Sequence, residues 1–366
     1  MIKAHLADKI FTGEVWISDH AIISENDIIQ EIIPKESISA GANIINYTSG
    51  FLAPSFIDIQ IYGAHGSLLS VYPSAETLKK ILDYCKSGGA NYFQPTVATN
   101  TYEVFYKCID AVKDYWNKGG KGVIGLHVEG PWINRVKRGA HIEEYIHSPT
   151  MRQAKALLEY GRNVITMITI APEVCNPEVI DLIHSYGIII SAGHSNATFE
   201  EANKGFSKGI RAATHLYNAM SPLQHRAPGM VGAVMNRSNV MSSIVPDGYH
   251  VDFAALSIAK KVMKDRLFFI TDAVTETTEG PYQHTLNGDK YVANGILSGS
   301  ALTMAKSVKN CVEKAGIELS EALRMASLYP AKVMRLDKEL GKIAKGYKAE
   351  FVMIDDNLEA VEIGLR

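Results

Sequence analysis

The stretch GIIISAGHSNATFEEANKGFSKGIRAATHLYNAM, residues 187–220, decides the fold. It opens on the apolar run Ile188, Ile189, Ile190, which leaves no face for solvent, as in a strand covered on both sides. Thr198 and Glu201 then stand three apart in a capping-box arrangement, and the helix-like segment they open closes on Gly209. A second strand-like run follows from Ile210. The stretch therefore predicts one β-α-β unit of a parallel sheet.

The same unit recurs in both directions. Apolar, β-rich runs stand at FLAPSFIDIQIYG (51–63), ANYFQPTVAT (90–99), VIGLHVEG (123–130), VITMITIAPE (164–173), NVMSSIVPDGYH (239–250) and RLFFITDAV (266–274), making eight with the two above. Helix-like segments separate most of them. SPTMRQAKALLEYG (148–161) is expected to begin with Ser148 as N-cap and Pro149 in the first turn. Eight such units favour a closed (β/α)8 barrel over an open doubly wound sheet.

Both chain ends break the rhythm. EVWIS and AIISEN near the start alternate apolar and polar residues like small β-hairpins, and GKIAKGYKAEFVMIDDN (341–357) does so near the end. An α/β chain is thus expected, with a (β/α)8 barrel over 51–335. A small β-sandwich is expected to combine residues 1–50 and 336–366.

Composition narrows the function classes. The 366 residues are 46% hydrophobic and 21% charged, with a net charge of −2, which gives no basic footprint for nucleic acid. No run has the length of a membrane span, and the N-terminus lacks a signal-peptide core, so a cytoplasmic protein without membrane association is expected. Cys85, Cys108, Cys175 and Cys311 form no CxxC pair and read as buried, reduced thiols.

Chemistry-bearing residues collect where the strands end: Glu129, His194 with Ser195, His215 with Asn218, Asp247 with His250, and Asp272. In a barrel these ends converge on one face. Singly, each has a structural reading as a hydrogen-bonded turn residue. Together, a carboxylate, two imidazoles and a separate aspartate supply a three-ligand metal site with an open position and a proton acceptor. His127 is expected to lie deeper in the barrel as a packing residue, and His5 and His284 read as surface or loop residues.

The motifs HVEGPW (127–132), SAGHSNAT (191–198), THLYNAM (214–220), DGYHVD (247–252) and FITDAV (269–274) resemble the amidohydrolase superfamily and, within it, the N-acetylglucosamine-6-phosphate deacetylase family. The resemblance implies hydrolysis of the acetamide of N-acetylglucosamine 6-phosphate. Glu129, His194 and His215 would hold one divalent metal, zinc first, with iron, cobalt or manganese as alternatives. Asp272 would be the catalytic acid and base. Ala140, His141, Asn218, Ala219, Arg226, His250 and Leu302 would contact the sugar phosphate, with His141 also donating to the developing oxyanion. In this family the arginine can reach across a dimer interface, so a homodimer is implied. N-acetylgalactosamine 6-phosphate is an alternative substrate, and a non-catalytic sugar-phosphate-binding barrel a second alternative.

The strand FIDIQIYG (56–63) departs from the family pattern. Its alternation puts Asp58, Gln60 and Tyr62 on one face. Many relatives carry histidine at one or both of the positions of Gln60 and Tyr62, which can support a second metal, and others have Gln and Asn there and use one. One metal is therefore expected here, with Gln60 near it and Tyr62 closing the vacated position.

Overall fold

The computed structural model describes residues 2–48 and 50–361. One sheet has eight strands: β1 Phe56–Ile61, β2 Ala90–Ala98, β3 Leu126–Glu129, β4 Ile165–Ile170, β5 Ile189–Ala192, β6 Ala212–Ala213, β7 Met241–Ile244 and β8 Leu267–Phe269. They lie side by side in chain order, and the pairs from β2 to β8 are parallel. A parallel bridge from Ile61 to Ala273 joins the two edges, and the Asp272 N–H donates to the Gln60 carbonyl at 3.0 Å. The result is the (β/α)8 barrel that the alternation of strands and helices predicts.

The helices form for legible reasons. Thr198 and Glu201 make the expected capping box at the start of Phe199–Ser207. The earlier helix differs from expectation: Met151–Tyr160 is capped by Thr150, whose side chain and that of Gln153 form a second capping box. Reciprocal satisfaction of two free N–H groups outcompetes the simpler Ser148 and Pro149 start. Inside the barrel, buried hydroxyls link strand to strand. The His127 Nε2 lies 2.7 Å from the Thr169 hydroxyl, which in turn lies 2.8 Å from that of Thr214. His127 is thus the buried, hydrogen-bonded residue expected.

The chain divides into two compact units: Ile59–Tyr84 with Phe93–Leu302, and Met1–Asp58 with Cys85–Tyr92 and Thr303–Arg366. The second unit contains a four-stranded sheet, ordered Ile28–Pro34, His20–Glu25, Ile2–Ala7, Asn43–Tyr47, and a five-stranded sheet that includes Phe51–Pro54 and Phe351–Ile354. Ala7, Ile22 and Ile29 from one sheet share a core with Ile10, Leu52, Phe351 and Met353 from the other. Two sheets burying one apolar layer from both ends of the chain make the expected sandwich.

His5 is buried in this sandwich, contrary to its reading as a surface residue. Its Nδ1 lies 2.9 Å from the Tyr47 hydroxyl and its Nε2 2.8 Å from that of Ser24. Burial lowers its pKa from 6.5 to about 4. The folded state holds the neutral ring, so this contribution is complete above the unfolded pKa and is lost as pH falls toward the folded one. From pH 7 to pH 5 the wild-type chain should lose about 2 kcal/mol more stability than His5→Gln, which has no ionisable ring. Denaturant unfolding at the two pH values measures this, and equal losses would contradict it.

Candidate active site

The residues at the strand ends meet in one cavity of about 820 Å³, its open mouth included. Glu129 ends β3, His194 follows β5, His215 follows β6, and Asp272 follows β8. All four are buried. His194, His215 and Asp272 have positive φ of 47°, 39° and 54°, a region costly for residues with a Cβ. Such strain at strand ends turns each side chain toward the common centre and is held by the surrounding structure.

The supports are specific. Glu173 accepts from the Ser195 hydroxyl at 2.7 Å and from the Asn196 N–H at 2.7 Å, fixing the turn that carries His194. The His215 N–H donates to the Ser243 hydroxyl at 2.7 Å. His141 reaches in from the loop after β3, with its Nδ1 2.7 Å from the Thr99 hydroxyl. Gly130 leaves room for that hydroxyl, since a Cβ there would come within 2.1 Å of it.

Three donor atoms converge. Glu129 Oε1 lies 3.3 Å from His194 Nε2 and 3.2 Å from His215 Nε2, and the two Nε2 atoms are 3.0 Å apart. Three ligands at about 2.1 Å from a tetrahedral metal would stand about 3.4 Å from one another. The His194 Nδ1–H donates to the Lys137 carbonyl at 2.9 Å, leaving the Nε2 lone pair facing the other two atoms. Burial and the neighbouring His141 hold the pKa of His194 down near 4, so no proton is available there to separate the donors. Burial alone would lower the pKa of His215, but the hydrogen bond and charge of Glu129 raise it, so the cluster favours positive charge and a divalent cation fits it.

Glu129, His141 and His194 also satisfy a looser ligand geometry, with donor atoms within 4.8 Å of one another. His141 Nε2, however, is 3.7 Å from the other carboxylate oxygen, Glu129 Oε2. The tighter triangle is that of Glu129, His194 and His215, with His141 beside it. Burial alone would raise the Glu129 pKa, but hydrogen bonds to the three imidazoles overcome this and hold it well below the carboxylate range.

Gln60 and Tyr62 lie against the same carboxylate. The Tyr62 hydroxyl donates a short hydrogen bond to Glu129 Oε2, and the Gln60 amide donates to the Tyr62 hydroxyl at 2.8 Å and to Asp272 Oδ1 at 2.8 Å. Tyr62 thereby occupies the oxygen that is not shared by His194 and His215. Asp272 is also 3.5 Å, through Oδ2, from His250 Nε2, whose Nδ1–H donates to Asp247 at 2.6 Å. Burial raises the Asp272 pKa, against the pull of His250 and His215.

Ala140, His141, Asn218, Ala219 and His250 line the same cavity. Two other expected contacts are not brought to it. Arg226 is exposed, and Leu302 is buried outside the lining, its carbonyl accepting from the Tyr84 hydroxyl at 2.7 Å.

The Amidohydrolase family profile matches residues 51–363. The chain belongs to the amidohydrolase family. It is similar to the N-acetylglucosamine-6-phosphate deacetylase of Haemophilus influenzae, at 36% identity over 96% of this chain and 95% of that protein. It is also similar to the N-acetylgalactosamine-6-phosphate deacetylase of a Shewanella species, at 34% identity over 86% of this chain and 82% of that protein. Among solved structures, the N-acetylglucosamine-6-phosphate deacetylase of Pasteurella multocida superposes with a TM-score of 0.94 at 33% identity, covering 98% of this chain and 97% of that one.

The amidohydrolase cavity has a second wall that the sequence reading missed. Leu297 and Ser298 line it from a three-stranded antiparallel sheet, Thr285–Asn287, Lys290–Ala293 and Ile296–Ser300, and Tyr282 and His284 from the segment just before its first strand. His284 is buried there rather than at the surface. The available signal was the spacing of Tyr282 and His284, two residues apart and so on one face of an extended segment.

Proposed function

We propose that this amidohydrolase hydrolyses the acetamide of N-acetylglucosamine 6-phosphate to glucosamine 6-phosphate and acetate. The convergence of Glu129, His194 and His215 beside Asp272 carries the proposal, and the full-length similarity to the Haemophilus deacetylase supports the substrate. These three residues hold one divalent ion, with zinc the best match to a Glu-His-His set and iron, cobalt or manganese compatible with it. When bound, the ion supplies a Lewis acid that polarises the amide carbonyl and acidifies water.

The chain's own residues do the rest. Asp272, oriented by the Gln60 amide, accepts the proton of the attacking water and delivers it to the leaving nitrogen. His141, its ring set by the 2.7 Å contact of Nδ1 with the Thr99 hydroxyl, presents its Nε2–H to the developing oxyanion. His250, Asn218, Ala219 and Ala140 position the sugar phosphate, and remote contacts of this kind set the acetamide in place.

No Lys or Arg lines the cavity among the described residues. A dianionic phosphate needs a cation, and Arg226, exposed and outside the cavity of its own chain, supplies it to a neighbouring subunit in a homodimer. The enzyme acts in the cytoplasm, since phosphorylated sugars do not cross membranes unaided. N-acetylgalactosamine 6-phosphate is the second reading, favoured by the Shewanella relative. Primary amine released from the gluco and galacto 6-phosphates and from unphosphorylated N-acetylglucosamine should rank in that order. A faster galacto reaction would reverse the assignment, and equal rates without phosphate would remove the phosphate anchor.

A further inference from the structure

The sheet over residues 285–300 is fixed to the catalytic centre at both ends. Its third strand meets the turn after β8: the Ser300 N–H donates to the Asp272 carbonyl at 3.0 Å, and Ala273 and Ser300 form a parallel bridge. At the other end, the Tyr282 hydroxyl donates to the Thr99 carbonyl at 2.6 Å, on the residue whose side chain holds His141. Tyr282 lies edge-on to His141 at 6.5 Å. A wall anchored at both ends presents its side chains at defined positions.

His284 is the polar group so presented. Its ring stacks on Tyr282, with centroids 6.2 Å apart and planes 14° from parallel, and its Nδ1 lies 2.8 Å from the Ser298 hydroxyl in the third strand. These two contacts set both the plane and the rotation of the imidazole. Ser298 fixes one ring nitrogen, His284 lines the cavity, and Nε2 makes no hydrogen bond to any described residue. Tyr282 and Ser298, the polar residues beside it, are engaged with the Thr99 carbonyl and with His284 itself, and Leu68, Val274 and Leu297 of the same cavity are apolar.

The geometry points to His284 as a substrate-binding residue whose Nε2 takes a hydrogen bond with a ring hydroxyl of the bound hexosamine. This rests on the deacetylase reading and adds a specificity contact to it. The acetamide faces the Glu129, His194, His215 and Asp272 end, which leaves the ring hydroxyls for the opposite wall. Burial lowers the pKa of His284 to about 4, so the ring is uncharged near neutral pH and suits a hydroxyl rather than a phosphate. Either tautomer serves, because a hydroxyl both donates and accepts.

The test compares wild type, His284→Ala and His284→Gln on N-acetylglucosamine 6-phosphate and on its 3-deoxy and 4-deoxy analogues. One net hydrogen bond predicts a fall of about tenfold in kcat/KM for His284→Ala, carried by KM, with part of it recovered in His284→Gln. On the analogue lacking the contacted hydroxyl, the penalty should vanish. An equal penalty on all three substrates, or none on the natural one, would overturn the assignment. If His284→Ala does not fold, His284→Gln completes the same cycle. Wild-type enzyme that releases no amine would strike the deacetylase reading itself, while calorimetric binding of the same sugars would still report on His284 separately.

Discussion

Asp272→Asn should fold, bind metal and substrate, and lose about a thousandfold in kcat, within the usual range for a general base. The asparagine oxygen can still accept from Gln60, which donates to Asp272 Oδ1 at 2.8 Å, so the side chain keeps its orientation. Asparagine also tolerates the local φ of 54° at least as well as aspartate does. What disappears is the capacity to take a proton from water and return it to the leaving nitrogen. Steady-state kinetics and calorimetry on the variant separate the two effects. A kcat within tenfold of wild type would place the base elsewhere.

Glu129→Gln should remove the metal. Glu129 is the only anionic member of the triangle, and its Oε1 stands 3.2 and 3.3 Å from the two Nε2 atoms. Changes beyond the ligands typically cost about 10- to 100-fold in metal affinity. Loss of the charged ligand itself should exceed that range, as read by competition with a chelator. Wild type should therefore unfold at a higher temperature when metal is added, and Glu129→Gln should show no such rise. An unchanged chelator midpoint would mean that the carboxylate is not a ligand.

The barrel was legible because strand and helix periods alternate cleanly, and the meeting of Glu129, His194, His215 and Asp272 because each stands where an apolar strand stops. Strand ends in a barrel share a face, so linear position translated directly into proximity. The wall carrying Tyr282 and His284 was not legible, because a short antiparallel sheet inserted after Asp272 has no counterpart in the repeat. His5 was misread for a related reason: in a small sandwich, a polar residue in an alternating strand can face inward once Tyr47 and Ser24 satisfy it. At residues 148–151, two helix starts were locally plausible, and the reciprocal cap of Thr150 and Gln153 decided between them. Arg226 could be found in sequence but not placed by a single chain, where it lies exposed.

Gln60 and Tyr62 show how much a strand can reveal when its residues depart from the family pattern. The alternation put both on the interior face, and the structure places them on Glu129 and Asp272. The oxygen that Tyr62 occupies is then unavailable to a second ion, which supports a count of one metal per chain.

Apoprotein titrated with zinc, with amine release from N-acetylglucosamine 6-phosphate followed at each addition, tests the central claim most directly. The rate should rise in proportion to bound metal and level off at one ion per chain. Activity that is absent at every loading, or that appears only after a second ion binds, would contradict the account.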